Sequence, residues 1–213
     1  MNSIETIPLF PLPLVVFPEQ ALPLHIFEPR YRQMLIDIRR EQEMGRERFI
    51  GICLGHDSTV HADVGCAVAL DKVLNDYADG RADIVVVGRR RFRLGQIRHE
   101  RAYLMVEAEY LEDTDGEDDP GLLPRAQRGY ARLLELAQEE SGMRFEGTPP
   151  QNSFQIAQSA ALRLEAKQQV LEMTSERERL QELCRHFDDL IPDLEARRAA
   201  KLKVHSNGHA KKL

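Results

Sequence analysis

The chain has no tryptophan, only 6% aromatic residues and three cysteines among its 213 residues. So few aromatic rings leave no stacking platform of the kind that binds single-stranded nucleic acid. Cys53, Cys66 and Cys184 are odd in number and far apart, and two of them lie in apolar, strand-like runs. They read as buried, reduced thiols rather than a disulfide framework. Positive charge is not in excess either. The net charge is −6, with acids and bases interspersed, which argues against a surface dedicated to nucleic acid or anionic membrane.

The common catalytic signatures are missing as well. No G-x-x-x-x-G-K-[ST] phosphate cradle, G-x-S-x-G elbow or H-E-x-x-H metal pair occurs. His56, His61 and Asp63 are close in sequence but lack a fourth ligand at a zinc-like spacing, and they read as a polar loop between strands. Ser153 and Ser175 are better explained as helix caps than as nucleophiles. No catalytic residue, cofactor or metal is expected.

What is present begins with an apolar run, Ile7 to Pro18, reading I-P-L-F-P-L-P-L-V-V-F-P. It does not read as a signal peptide, because Glu5 stands where Lys or Arg belongs and no small-residue cleavage site follows. Twelve residues holding four prolines cannot form a membrane-spanning helix. A cytoplasmic protein is therefore expected. The prolines fix an extended backbone, giving a strand, a tight turn at Pro18-Glu19-Gln20, and a second strand over Ala21–Ile26.

Pro29 opens a helix. Its stripe is Tyr31, Met34, Leu35 and Ile38, at i, i+3, i+4 and i+7, and Gly45 ends it. Strand-like segments follow at Phe49–Gly55 and Val64–Leu70, the latter with Val64, Cys66, Val68 and Leu70 on one face. Ala82–Leu94 puts Ile84, Val86, Gly88, Phe92 and Leu94 in one register, and Tyr103–Tyr110 completes the set. Five to seven short strands with one inserted helix imply a small, mostly antiparallel barrel or sandwich.

From Glu112 to Asp119, six of eight residues are acidic. This marks a solvated linker, after which the pattern turns helical. The fold class is α+β. A β subdomain spans 1–112, an acidic linker 113–120 and a helical bundle 121–192. Pro192 bends or ends the last helix, and a flexible or loosely helical basic tail covers 193–213.

The sharpest basic cluster holds six arginines within Gly88–Arg101. An anion site is one reading. The favoured one is a strand with Arg89, Arg91 and Arg93 facing water, while Arg90 shares the face of Phe92 and takes a carboxylate, for which Glu28 is the candidate.

Together these segments resemble the Lon protease N-terminal, substrate-binding domain family in its free-standing bacterial form. The resemblance runs through Pro8-Leu-Phe-Pro-Leu12, Val15-Val-Phe-Pro18, Leu22-Pro-Leu24 and Ile26-Phe-Glu-Pro-Arg-Tyr31. It continues at Val64-Gly-Cys-Ala-Val68, at Asp79-Gly80 with Ile84–Val87, at Gly88-Arg-Arg-Arg-Phe92, at Tyr103–Glu109 and at Leu171–Leu180. It covers roughly residues 5–191.

The resemblance implies a PUA-like β-barrel followed by a helical bundle, without ATPase or peptidase domains. It implies a non-catalytic module that captures unfolded or degron-bearing polypeptides, with its own partner left open among an ATP-dependent protease, a chaperone and neither. Phe10, Leu12, Leu14, Phe17, Phe27 and Tyr31 are the candidate peptide contacts. Glu28, Arg30, Arg90 and Arg91 are candidates for an anion site or structural ion pairs. The alternative is a PUA-like RNA-binding module using the Arg89–Arg101 strand, although charge and composition argue against a nucleic-acid partner, and no membrane partner is expected.

Overall fold

The computed structural model describes residues 4–56, 58–114, 119–144 and 147–208, with side chains through Lys201. The chain divides into two compact units, Met1–Thr114 with Ala161–Thr174, and Asp115–Ala160 with Ser175–Leu213.

The first unit holds β1 (Ile4–Leu12), β2 (Ala21–Ile26), α1 (Pro29–Glu43), β3 (Phe49–His56), β4 (Thr59–Asp76), β5 (Ala82–Arg98), β6 (Leu104–Tyr110) and α4 (Leu164–Glu172). The six strands run in the order β2-β5-β4-β3-β1-β6, and β6 also pairs with β5. That last pairing joins β5, β4, β3, β1 and β6 into a closed circuit and leaves β2 as an edge. Only β1 and β3 run parallel. The proline-rich opening is a strand, as its extended backbone requires, and Glu19 turns it at φ 64°.

Two apolar clusters hold the unit together. The first packs the α1 stripe Tyr31, Met34, Leu35 and Ile38 onto Phe10, Ile50, Ile52, Cys66, Val68, Ile84 and Val86. The second draws on all five strands of the circuit, with Ile7, Leu9, Cys53, Ala67, Phe92 and Val106 among its members. The α1 buried residues are those that the sequence periodicity selects.

The strict alternation expected along β5 does not hold. Val68 pairs with Gly88 but Ala67 pairs with Arg90, so Arg89 is an extra residue in a β-bulge. The bulge inverts the faces. Ile84 and Val86 point to the first cluster, whereas Phe92 points to the second.

The expectation that Arg91 faces water fails for the same reason. Arg91 lies opposite Cys66, and its side chain is 3% exposed. The segment 161–174 covers it. Arg91 donates to the carbonyls of Leu171 (2.9 Å) and Met173 (2.5 Å) and pairs with Asp113. Gln168 Nε2 reaches the Val64 carbonyl at 3.0 Å, and Thr114 N–H reaches the Thr174 carbonyl at 2.8 Å.

Residues 161–174, which the sequence groups with the helical bundle, thus pack with the sheet. Of the acidic stretch 113–120, residues 115–118 lie outside the described residues.

The second unit contains α2 (Leu122–Ser141), α3 (Ser153–Ser159) and α5 (Glu176–Gly208). Gly129 of α2 lies against Phe187 of α5, where an added Cβ would be 2.6 Å from the phenyl ring. Asn152 caps α3 by accepting from Gln155 N–H. Buried Arg179 donates to Ser153 Oγ and Glu176, both at 2.8 Å, and lies over the Phe154 ring.

α5 continues through Pro192 rather than ending there. Proline removes one helical hydrogen bond. Beyond it, Glu195, Arg198 and Lys201 pair with Arg132, Glu139 and Glu140 of α2. Residues 209–213 lie outside the described residues. No helix among the described residues is long and apolar enough to cross a membrane.

Candidate functional site

β2 is reached through a turn clasped onto β5. Phe17 N–H donates to Gln20 Oε1 at 3.0 Å, Glu19 N–H to the Gly88 carbonyl at 2.9 Å, and Gly88 N–H to the Gln20 carbonyl at 2.9 Å. Along β2, Leu22, Leu24 and Ile26 pack toward the first cluster, while Ala21, Pro23 and His25 point the other way and are exposed.

Their cross-strand partners are Val87, Val85 and Asp83, and paired residues share a face. The outer face of this edge is therefore an apolar strip of Ala21, Val87, Pro23 and Val85. Phe27 continues the strip past the strand end, with 58% of its surface exposed. Pro23 offers no N–H, as suits an edge strand.

A polar hub fixes the aromatic end of the strip. Asp83 accepts from His25 Nδ1 (2.6 Å), Tyr77 Oη (2.7 Å) and Asn75 Nδ2 (3.0 Å). These bonds, His25 first, hold its carboxyl down to about 2. His25 stacks on Phe27 at 5.9 Å and meets Tyr77 edge-on at 6.1 Å. The hydrogen bond to ionised Asp83 in turn pushes the Tyr77 phenol up. Leu74, next to Asn75, is 52% exposed.

Of the residues singled out from sequence, only Phe27 presents its ring to solvent. Phe10, Phe17 and Tyr31 are core, the Phe10 and Tyr31 rings lying 3.9 Å apart, and Leu12 and Leu14 are half-buried against the first cluster. Their apolar character is used for folding. β1 also has no free edge, since β3 and β6 flank it.

The charged set does not converge. Glu28 pairs with Arg30 at 2.7 Å, and Arg30 lies over the Tyr31 ring. Arg90 meets Glu112 at 3.4 Å, not Glu28, and sits 4.0 Å from the Tyr110 ring. Arg91 is committed to Asp113 and two carbonyls. Further along, Arg98 pairs with Glu107 and Arg101 with Asp37, so carboxylates offset much of the basic strand.

Sequence reading missed Val85, Val87, Tyr77 and His25. The V-V-V run shows no alternation, so neither of its faces stands out. Leu74 and Tyr77 were visible as apolar residues in an otherwise polar hairpin.

A second concavity of about 730 Å³ lies between α1 and the paired strands β1 and β6. At its wall, Asp37 accepts from Tyr103 Oη at 2.6 Å and from Arg101 Nη1 at 2.8 Å. Burial pushes the Asp37 carboxyl up, but hydrogen bonds from Tyr103, Gln33 and Arg101 outweigh it and hold the group below its usual value. Burial, then the bond to Asp37, pushes the Tyr103 phenol up to about 12.

A group held down in the folded state stabilises above its unfolded pKa and loses that contribution as pH falls through its folded value. Asp37→Asn should therefore lower stability by about 1 kcal/mol at neutral pH, with the gap closing below about pH 4. Urea titrations of both proteins across pH will measure it. A gap that persists unchanged into acid would contradict the role given to the carboxylate.

Burial pushes the Cys53 and Cys66 thiols up to about 12. No group of three His, Cys, Asp or Glu suited to a metal ion occurs among the described residues.

The sequence profile of the ATP-dependent protease La (LON) substrate-binding domain matches residues 6–189. The chain is similar to the crystal structure of a Lon N-terminal domain protein from Xanthomonas campestris, with 26% identity and a TM-score of 0.62, covering 84% of this chain and 97% of that one. It shares its fold with the N-terminal domain of Mycobacterium avium complex Lon protease, with 20% identity and a TM-score of 0.60, covering 87% of this chain and all of that one. With the match running from β1 through the inserted helix and the remaining strands into α5, this chain belongs to the LON substrate-binding domain family.

Proposed function

We propose that the chain is a non-catalytic recognition module that binds extended apolar segments of unfolded or degron-bearing polypeptides along the outer β2–β5 face. The carrying observation is the outward-facing strip of exposed Ala21 and Pro23 and half-buried Val85 and Val87, ending in exposed Phe27, beside an edge strand. An extended segment lays alternate side chains along such a strip, and Leu22 and Leu24 behind it keep the strand seated on the core. Exposed apolar area of this kind supports a partner surface. The family membership supports polypeptide as the ligand. In this reading the closed strand circuit is the PUA-like barrel, and the module works in the cytoplasm beside an ATP-dependent protease or chaperone.

Phe27→Ser and Tyr77→Ser change exposed side chains and should leave the fold intact. Each should weaken binding of a fluorescent, permanently unfolded model protein by about tenfold, the value of burying most of one aromatic side chain. Fluorescence anisotropy at equilibrium will measure this. Unchanged affinity in the double variant, with binding present in the parent, would overturn the placement on this face.

A further inference from the structure

The cleft between α1 and the β1–β6 pair shares no residue with the β2–β5 strip. Its apolar lining comes from Pro8, Ile38, Met44 and Met105, and Met44 is 50% exposed. Its rim carries Arg40, Arg46, Arg48 and Arg101 against Asp37, Glu41 and Glu100.

The pairing leaves the positive side unspent. Asp37 is taken up by Arg101 and Tyr103. Glu41 alone serves both Arg46 (3.0 Å) and Arg48 (3.3 Å), and Arg48 reaches out of the cleft to Glu5 at 3.4 Å. Glu100 lies 3.9 Å from Arg98.

Among the described residues, Arg40 has no carboxylate partner, and it stands in the last turn of α1. Nor is it needed to cap the helix. The carbonyls of Arg40, Glu41 and Gln42 already accept from the N–H groups of Met44, Arg46 and Gly45.

Each guanidinium carries five donors, so Arg46, which shares Glu41 with Arg48, keeps donors to spare beside Arg40, and Arg48 keeps some beyond its bonds to Glu41 and Glu5. A carboxylate placed among these three completes charge-assisted pairs, while an apolar neighbour covers Met44 and Met105. About 730 Å³ is within the ordinary range for ligand sites.

We propose that this cleft is a second binding site, taking an acidic peptide segment in which apolar and carboxylate side chains alternate. The test uses short fluorescein-labelled peptides of alternating leucine and glutamate, leucine and glutamine, or leucine and lysine, read by anisotropy on the full chain. The expected order is glutamate above glutamine above lysine. Arg40→Glu with Arg46→Glu should weaken the glutamate peptide by about tenfold, and added salt should narrow the gap. Arg40→Gln with Arg46→Gln should fall between, and thermal melts should show all these chains folded.

Phe27→Ser should leave the preference for the glutamate over the lysine peptide intact, whereas Arg40→Glu with Arg46→Glu should abolish it, which separates this site from the β2–β5 face whichever of the two fails. Equal binding of the glutamate and glutamine peptides, or an undiminished charge-reversed variant, would overturn the proposal. So would displacement of the labelled peptide by millimolar inorganic phosphate as complete as by unlabelled peptide, since the cleft would then be a small-anion site.

Discussion

Replacing Arg91 by methionine should lower the unfolding free energy by about 3 kcal/mol. Methionine keeps most of the apolar stem but removes every donor. The carbonyls of Leu171 and Met173 then lose their partner beneath the 161–174 segment. Unsatisfied buried acceptors cost about 1–3 kcal/mol each. Asp113 adds less, because its side chain is 41% exposed and regains water. Asp113→Asn should accordingly cost well under half as much.

Arg91→Lys should fall between, because one ammonium cannot span two carbonyls and a carboxylate as a planar guanidinium does. Urea denaturation supplies the free energies. Hydrogen exchange should show the Arg91→Met loss concentrated at α4 and residues 171–174. A drop below about 1 kcal/mol, or exchange that rises uniformly, would mean that the segment is held by Val170 and Leu171 packing alone.

The second large effect is expected at Gly88. A Cβ there would stand 2.1 Å from the Phe17 carbonyl oxygen, a backbone atom that cannot step aside. Either the 17–20 turn lifts off β5, breaking the two hydrogen bonds that clasp it, or β5 shifts. Overpacking against backbone costs about 1–3 kcal/mol, and the clasp bonds put Gly88→Ala at the top of that range, about 3 kcal/mol.

Gly45→Ala is the matched control. An added Cβ there would meet no described atom within 4 Å, but the residue's φ is 73°, so only the left-handed backbone penalty of about 1 kcal/mol applies. Because the clasp seats β2, Gly88→Ala should also weaken capture of unfolded protein, and Gly45→Ala should not. Equal losses from the two substitutions would remove the clasp as the explanation.

Much of the architecture follows from local pattern. The α1 stripe is readable because one helix face meets one core, so period and burial coincide at Tyr31, Met34, Leu35 and Ile38. The opening turn is readable because proline fixes the backbone on its own account. Arg91 is not, since reading a strand by alternation assumes two residues per repeat, and one extra residue at Arg89 reverses the faces from there to the next register shift after Leu94.

The placement of 161–174 is hidden for a different reason. A helical period shows that a face is buried but not which core buries it. The cleft is beyond local reading as well. Asp37 meets Arg101 and Tyr103 only through tertiary folding, across more than sixty residues. At the strip, apolar residues alone did not separate Phe27, which stays outside, from Phe17, which the core takes.

The division of the chain carries a consequence for its synthesis. The first unit departs after Thr114 and resumes at Ala161, so Arg91 must wait for carbonyls 80 and 82 residues later. A nascent chain emerging from the ribosome can pair β1 through β6 and still hold an uncovered guanidinium until Met173 is clear of the exit. Contacts this distant in sequence close slowly. During that interval the sheet face that residues 161–174 later cover stands open to water, with Arg91 solvated rather than held by carbonyls.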